Sequence, residues 1–170
     1  SLERSYDQCA VYLTRPTLLK DIIVPLFEEI GDLWRKGSLK IVNEHMASSV
    51  TRTFLLNMLR ATDISESAPR IVSATPVGQW HATGTLIVAV TTAKDGWRAL
   101  YYGPNLPAKE IGAAVKHSRA IAVAISNNHL PEQLPLIDEI SKLRRHIGRE
   151  VGLMVRGQAV SCFRLLLEEI

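Results

Sequence analysis

The sequence predicts an α/β chain with an all-α cap: a helical bundle first, then a parallel sheet with helices on both faces. Up to about Ala61, apolar residues recur at three- and four-residue spacing, the period of an amphipathic helix. From Arg70 onward, four short apolar runs alternate with helical stretches, the rhythm of strand–helix units in a parallel sheet. The chain has 170 residues, 46% of them hydrophobic and 22% charged, enough for one domain or two small ones. The polar, turn-rich stretch from Asp63 to Pro69 reads as a linker. We therefore expect a helical bundle over 1–66 and a Rossmann-like (flavodoxin-like) domain over 67–170.

In the first half, Ile22, Ile23, Leu26, Phe27, Ile30, Leu33 and Trp34 form one helical stripe. Gly37 is expected to end that helix and Ser38 to cap the next. The following helix carries Ile41, His45, Ser48, Ser49, Arg52, Leu55, Leu56 and Leu59 along one broad face. In the second half the expected strands are Ile71–Ala74, Trp97–Tyr102, Ala120–Ile125 and Val151–Val155. The helices expected between them run from Thr83 to Lys94, Pro107 to His117 and Pro131 to His146. In such sheets ligands bind beyond the carboxyl ends of the strands. Those ends lead into Pro76–Ala82, Gly103–Leu106, Ser126–Leu130 and Arg156–Gln158.

The net charge of +3, with scattered Lys and Arg, argues against nucleic-acid binding by this chain itself. The one basic cluster, Arg144, Arg145 and Arg149, reads as a solvated helix end. Cys9 and Cys162 read as reduced thiols of a cytoplasmic protein rather than a bridge. No apolar run approaches the roughly 20 residues that span a bilayer, and no secretory leader is visible. The opening Ser1 in place of an initiator Met suggests a piece of a longer protein.

At the first carboxyl edge the chain reads Gly78-Gln79-Trp80-His81-Ala82-Thr83-Gly84. His81 on a loop beside a helix start can ligate a metal through one ring nitrogen. Its other N–H then needs an acceptor, and the Gln79 side chain is close enough in sequence to supply one. Gly84 would let a large planar group approach the backbone. Trp80 could cover one edge of such a site, while His117, His129 and His146 read as surface residues. Taken alone, His81 reads rather as a surface loop histidine. Spacing separates the readings: forty-one residues lie between Gly84 and Ser126, and twenty-eight between Asn128 and Gly157.

In this register the second half resembles the cobalamin-binding fold, whose signature is Asp-x-His-x-x-Gly, then Ser-x-Leu, then Gly-Gly. The resemblance implies that His81 replaces the cofactor's own benzimidazole on cobalt. It implies that Ser126 and Gly157 open the slot for the displaced nucleotide tail. Three positions depart from the pattern: Gln79 stands for Asp or Glu, Asn128 for Leu, and Gln158 for the second Gly. A neutral Gln can orient the imidazole but does not raise its basicity as a carboxylate would.

Trp34 followed ten residues later by Glu44-His45 resembles the Trp-x9-Glu-His signature of CarH/LitR-type regulators, light-responsive MerR-family repressors that depend on adenosylcobalamin. Ile23 to Trp34, Gly96-Trp97 and Tyr102 to Pro107 resemble the same group, so the likeness runs from about Thr17 to Gly157. It implies that Trp34 packs over the upper corrin face against the adenosyl group, and that Glu44 and His45 bind or shield that group. It implies a sensor rather than an enzyme, a homo-oligomer (tetramer or dimer in the dark), and DNA binding through an N-terminal domain absent here. Arg35 stands where some members carry a His that binds cobalt after illumination. The alternatives are a corrinoid methyl carrier for a methyltransferase, or a degenerate member holding cobalamin weakly or another tetrapyrrole such as a bilin. Methyl carriers usually place Asp where this chain has Ala82. A sheet domain with a wholly different small ligand would not account for three elements in register.

Overall fold

Helical periodicity in the first half becomes α1 (Leu2–Tyr12), α2 (Arg15–Thr17), α3 (Val24–Arg35) and α4 (Ile41–Arg60), with a π-helical turn at Leu18–Ile23 between α2 and α3. The computed structural model describes residues 1–127 and 133–157, with side chains from 136 onward in the second span. Asn128, His129, Leu130, Gln158 and Cys162 lie outside the described residues. The chain divides into two units between Ala61 and Thr62.

The wide turn has a local cause. Pro25 lacks an N–H and its ring crowds the carbonyl four residues back. The N–H of Val24 instead reaches five residues back to Leu19 O, the π pattern. The end of α3 closes as a Schellman motif, with Gly37 N–H on Trp34 O at 2.9 Å and Ser38 N–H on Leu33 O at 2.9 Å. Ser38 thus finishes α3 rather than capping α4, whose first helical residue follows Lys40 with no side-chain cap.

The buried line of α4 also differs from the expected one. Of the eight residues on the predicted face only Leu55 is buried, and Ile41, His45, Ser49 and Arg52 are exposed. The buried residues are Thr51, Leu55 and Met58. The reason lies in α1, which places Tyr6 against them. The Tyr6 hydroxyl bonds Thr51 Oγ1 at 2.8 Å and its ring stacks at a tilt on Phe54, centroids 4.9 Å apart. Burial pushes the Tyr6 phenol above its ordinary range, against the opposing pull of the Thr51 bond. Leu18, Leu19, Ile23 and Ile30 complete this core.

The second unit is the predicted parallel sheet with helices on both faces. Its strands are β1 (Arg70–Pro76), β2 (Arg98–Leu106), β3 (Ala122–Ser126) and β4 (Gly152–Arg156), in the order β2-β1-β3-β4. Its helices are α5 (Thr83–Lys94), α6 (Ala108–Ser118) and α7 (Gln133–Ile147). Strand β1 is central and buried from Ile71 to Pro76, as a strand covered on both faces must be. Val72, Ala74, Val123 and Ile125 pack with Ile111, Val115, Ile140, Leu143 and Ile147 of α6 and α7. Facing the other way, Ser73 Oγ donates to Thr85 O in α5 at 2.6 Å.

Gly103 to Leu106, expected as a loop, continues β2 instead. The strand keeps pairing because the register shifts twice, between Ser73 and Ala74 and between Ala74 and Pro76. These irregularities accommodate Gly103 and Asn105, both at positive φ. Arg144, expected on a solvated end, donates to the carbonyls of Gly148 and Val151 at 2.9 and 2.8 Å and closes the turn into β4. Arg98 likewise ties Ile64 O and Ser65 O to β2.

Helices α6 and α7 approach closely at Gly112, where an added Cβ would lie 2.6 Å from His146 Cβ. Overpacking of this kind costs about 1–3 kcal/mol, against a helix-propensity gain of about 1 for alanine. Gly112→Ala is expected to lower unfolding stability by about 1 kcal/mol, and by about 2 at most, in a denaturant titration. A variant as stable as the parent would show that the two helices separate without cost.

Candidate functional site

Strand order β2-β1-β3-β4 reverses direction between β1 and β3, and the crevice at such a switch point is where open α/β sheets take ligands. The carboxyl end of β1 leads directly into the loop bearing Gln79, Trp80 and His81. Beyond it α5 begins at Thr83, so Gly84 sits in its first turn. Ala82 is buried and its carbonyl accepts from Thr85 Oγ1 at 2.7 Å and Leu86 N–H at 3.1 Å, which fixes the start of α5 just after His81. His81 itself is exposed, and Gln79 is half-buried.

Ser126 ends β3, the strand beside β1, and is buried. It pairs with Arg156 of β4, and the pairing runs one residue further because Asn127 N–H donates to Arg156 O at 2.8 Å. Gly157 follows at φ +133°, a backbone conformation that disfavours any side chain. Gln79, His81, Gly84, Ser126 and Gly157 therefore share one carboxyl edge, although they span seventy-nine positions of sequence. Val77 and Trp80, just beyond the end of β1, are exposed apolar residues of that same edge, and Tyr102, in the middle of β2, is exposed as well.

In the helical unit, Trp34 lies in the last turn of α3 and is 44% exposed. Glu44 and His45 lie in the first turns of α4, across the Schellman turn. The Glu44 carboxylate is mostly covered: Ser48 Oγ donates to Oε1 at 2.7 Å, and His45 Nδ1 lies 3.2 Å from Oε2. The His45 side chain is 70% exposed. Arg35 forms an ion pair with Asp32 one turn back. Ile41, Val42 and Met46 are also exposed.

Two residues escaped the sequence reading. Thr75, buried at the end of β1, donates from Oγ1 to Gln79 O at 2.5 Å. Asn105 donates its N–H to Thr75 Oγ1 at 2.9 Å and to Gln79 O at 3.0 Å, and its Oδ1 accepts from Gly78 N–H at 2.9 Å. The available signal was an Asn close to Gly103-Pro104, since Asn is enriched at positive φ. Chemically, a single exposed imidazole at an open crevice is a donor for a metal that brings its other ligands with it. Among the described residues no group of three or more His, Cys, Asp or Glu is placed to hold a bare ion. That donor set fits a corrin-bound cobalt.

Comparison with known proteins bears on the fold and on the class of cofactor. Residues 6–56 match the model of the B12 binding domain family. The chain is 25% identical over 150 residues to the HTH-type transcriptional repressor CarH of Myxococcus xanthus, covering 88% of this chain and 50% of that protein. It is 30% identical over 104 residues to the repressor CarA of the same organism, covering 61% of this chain and 34% of the relative. The chain thus spans half the length of one curated relative and about a third of the other. Both are repressors by name rather than enzymes, in keeping with a binding module. In fold it is similar to a monomethylamine corrinoid protein of Methanosarcina barkeri, with TM-score 0.72 and 11% identity, over 95% of this chain and 79% of that one. The chain thus carries a match to the B12 binding domain over residues 6–56 and is similar, over most of its length, to part of the CarH repressor and, over a shorter stretch, to part of CarA.

Proposed function

We propose that this chain is the adenosylcobalamin-binding, light-sensing domain of a cytoplasmic MerR-type transcriptional regulator. The observation that carries the reading is the assembly of His81, Ser126 and Gly157 at one carboxyl edge of the sheet, at its switch point. The homology to CarH and CarA supports the regulatory part. His81 would hold the cobalt from below, with Gln79 orienting its imidazole and Gly84 admitting the corrin edge. Ser126 and Gly157 would flank the nucleotide tail. Trp34, Glu44 and His45 would cover the adenosyl group. The cofactor supplies a cobalt–carbon bond that light can cleave. Trp34 would lose that contact on illumination, and this change in packing would be the bistable element. Assembly into a dark homo-oligomer, tetramer or dimer, and DNA binding through a further N-terminal domain belong to the same proposal.

The test is to mix cobalamin-free protein with adenosylcobalamin in the dark, then record spectra and molecular size before and after green light. The reading expects binding, a light-induced spectral change and a change in assembly. Absence of binding would overturn it. Equal binding of methylcobalamin, with methyl transfer to an acceptor, would instead favour a corrinoid methyl carrier. Binding of a bilin in preference would favour the degenerate reading.

A further inference from the structure

The turn that precedes His81 is held by a neighbouring strand rather than by packing. Val77 and Trp80 are 52% and 67% exposed, and Gly78 and His81 are exposed as well. Within the turn itself Gln79 N–H bonds Pro76 O at 3.1 Å, with Gly78 at φ +85°, which a type II turn requires of its third residue. Further hydrogen bonds to this backbone, among the described residues, come from Thr75 and Asn105. Asn105 sits in β2 at φ +60°, where the strand has slipped register against β1. Its N–H is shared between Thr75 Oγ1 and Gln79 O, and its side-chain oxygen takes the Gly78 N–H. Gln79 O receives a second bond from Thr75 Oγ1. The two backbone groups so restrained lie two and three residues before His81.

We propose that Asn105, with Thr75, is a positioning residue for His81: a latch that sets the direction in which the chain leaves β1, so that the imidazole is presented before any cobalamin arrives. The inference rests on His81 being the lower axial ligand. Two physical points favour a functional role over simple loop closure. An exposed ligand-bearing loop that is ordered in advance avoids the entropy cost of ordering it on binding. And Gln79, being neutral, would not strengthen the imidazole as a carboxylate would, so presentation of the ring by the backbone carries more weight. Asn suits the position because it tolerates positive φ and carries a side-chain acceptor.

The test compares N105G, which keeps the backbone conformation but loses the acceptor, with N105D, which retains an acceptor of the same reach. Two readouts are needed: amide exchange at Gly78 in the cobalamin-free chain, and dark titration with adenosylcobalamin read by the imidazole-coordination spectrum. N105G should expose the Gly78 amide to exchange and weaken cobalamin binding by about tenfold, the scale of outer-shell support for a metal-ligating His. N105D should stay close to the parent in both. T75V removes the second arm from β1 at nearly unchanged volume and should weaken binding in the same direction, which keeps the test available should N105G fail to fold. Unchanged exchange at Gly78 in N105G, or parent-like binding in N105G and T75V, would overturn the latch while leaving His81 as ligand. So would N105D as weak as N105G. A parent chain that binds adenosylcobalamin with no imidazole signature would instead remove the reading on which the latch rests.

Discussion

Replacing His81 with alanine is expected to remove the imidazole-coordination signature from the adenosylcobalamin complex and to weaken binding by about 100-fold or more. Loss of outer-shell partners alone costs 10–100-fold at metal sites, and removal of the ligand itself should cost at least as much. The variant should fold normally. His81 is exposed, and Ala82 O, accepting from Thr85 Oγ1 and Leu86 N–H, fixes the start of α5. Exposed substitutions away from such features usually change stability by about 0.5 kcal/mol or less. Dark titration followed by thermal unfolding separates the two effects. Parent-like affinity and spectrum in H81A would mean that cobalamin, if bound, keeps its own base.

The same loop shows which parts of a site are legible in sequence. That His81, Ser126 and Gly157 would lie at one carboxyl edge was legible from the signature spacing they resemble, because in a parallel sheet such spacing along the chain becomes proximity in space. Asn105 could not be found that way. Its contribution depends on a register slip in β2 that leaves its N–H facing Thr75 and Gln79, and no periodicity encodes a slip. The stretch Gly103–Leu106 reads as a loop by composition, yet the slip keeps it paired.

In the helical unit the period was legible but the buried face was not. Sequence spacing placed Ile41 and His45 on the same stripe as Leu55. The structure buries Thr51 instead, because Tyr6 supplies a hydroxyl partner that makes a polar residue the better neighbour. A threonine at the centre of a core line is invisible to hydropathy, whereas its hydrogen bond is decisive once α1 is in place. The residues thereby displaced from the core, Ile41 and His45, are among those left exposed beside Trp34 in sequence.

That exposure underlies the second large expectation. Trp34→Ala should reduce the preference for adenosylcobalamin over hydroxocobalamin by about tenfold to 100-fold, while the cobalamin-free chain unfolds as before. Full burial of a large apolar side chain is worth about 1.5–3 kcal/mol, and each 1.4 kcal/mol is about tenfold in affinity. Trp34 is 44% exposed and stands outside the core of Tyr6, Leu18, Ile23, Ile30 and Leu55, so its removal leaves that core whole. Parallel titrations with the two cobalamins measure the preference directly; an equal loss for both would assign Trp34 to the corrin ring rather than to the adenosyl group. Illumination then extends the argument. Arg35, paired with Asp32, offers no imidazole at the position after the tryptophan. His45 is the nearest alternative in sequence, and its side chain is open to solvent. The illuminated chain should therefore form no bis-imidazole adduct through residue 35. A bis-imidazole spectrum that survives H45A would require a third histidine and would overturn this account of the upper face.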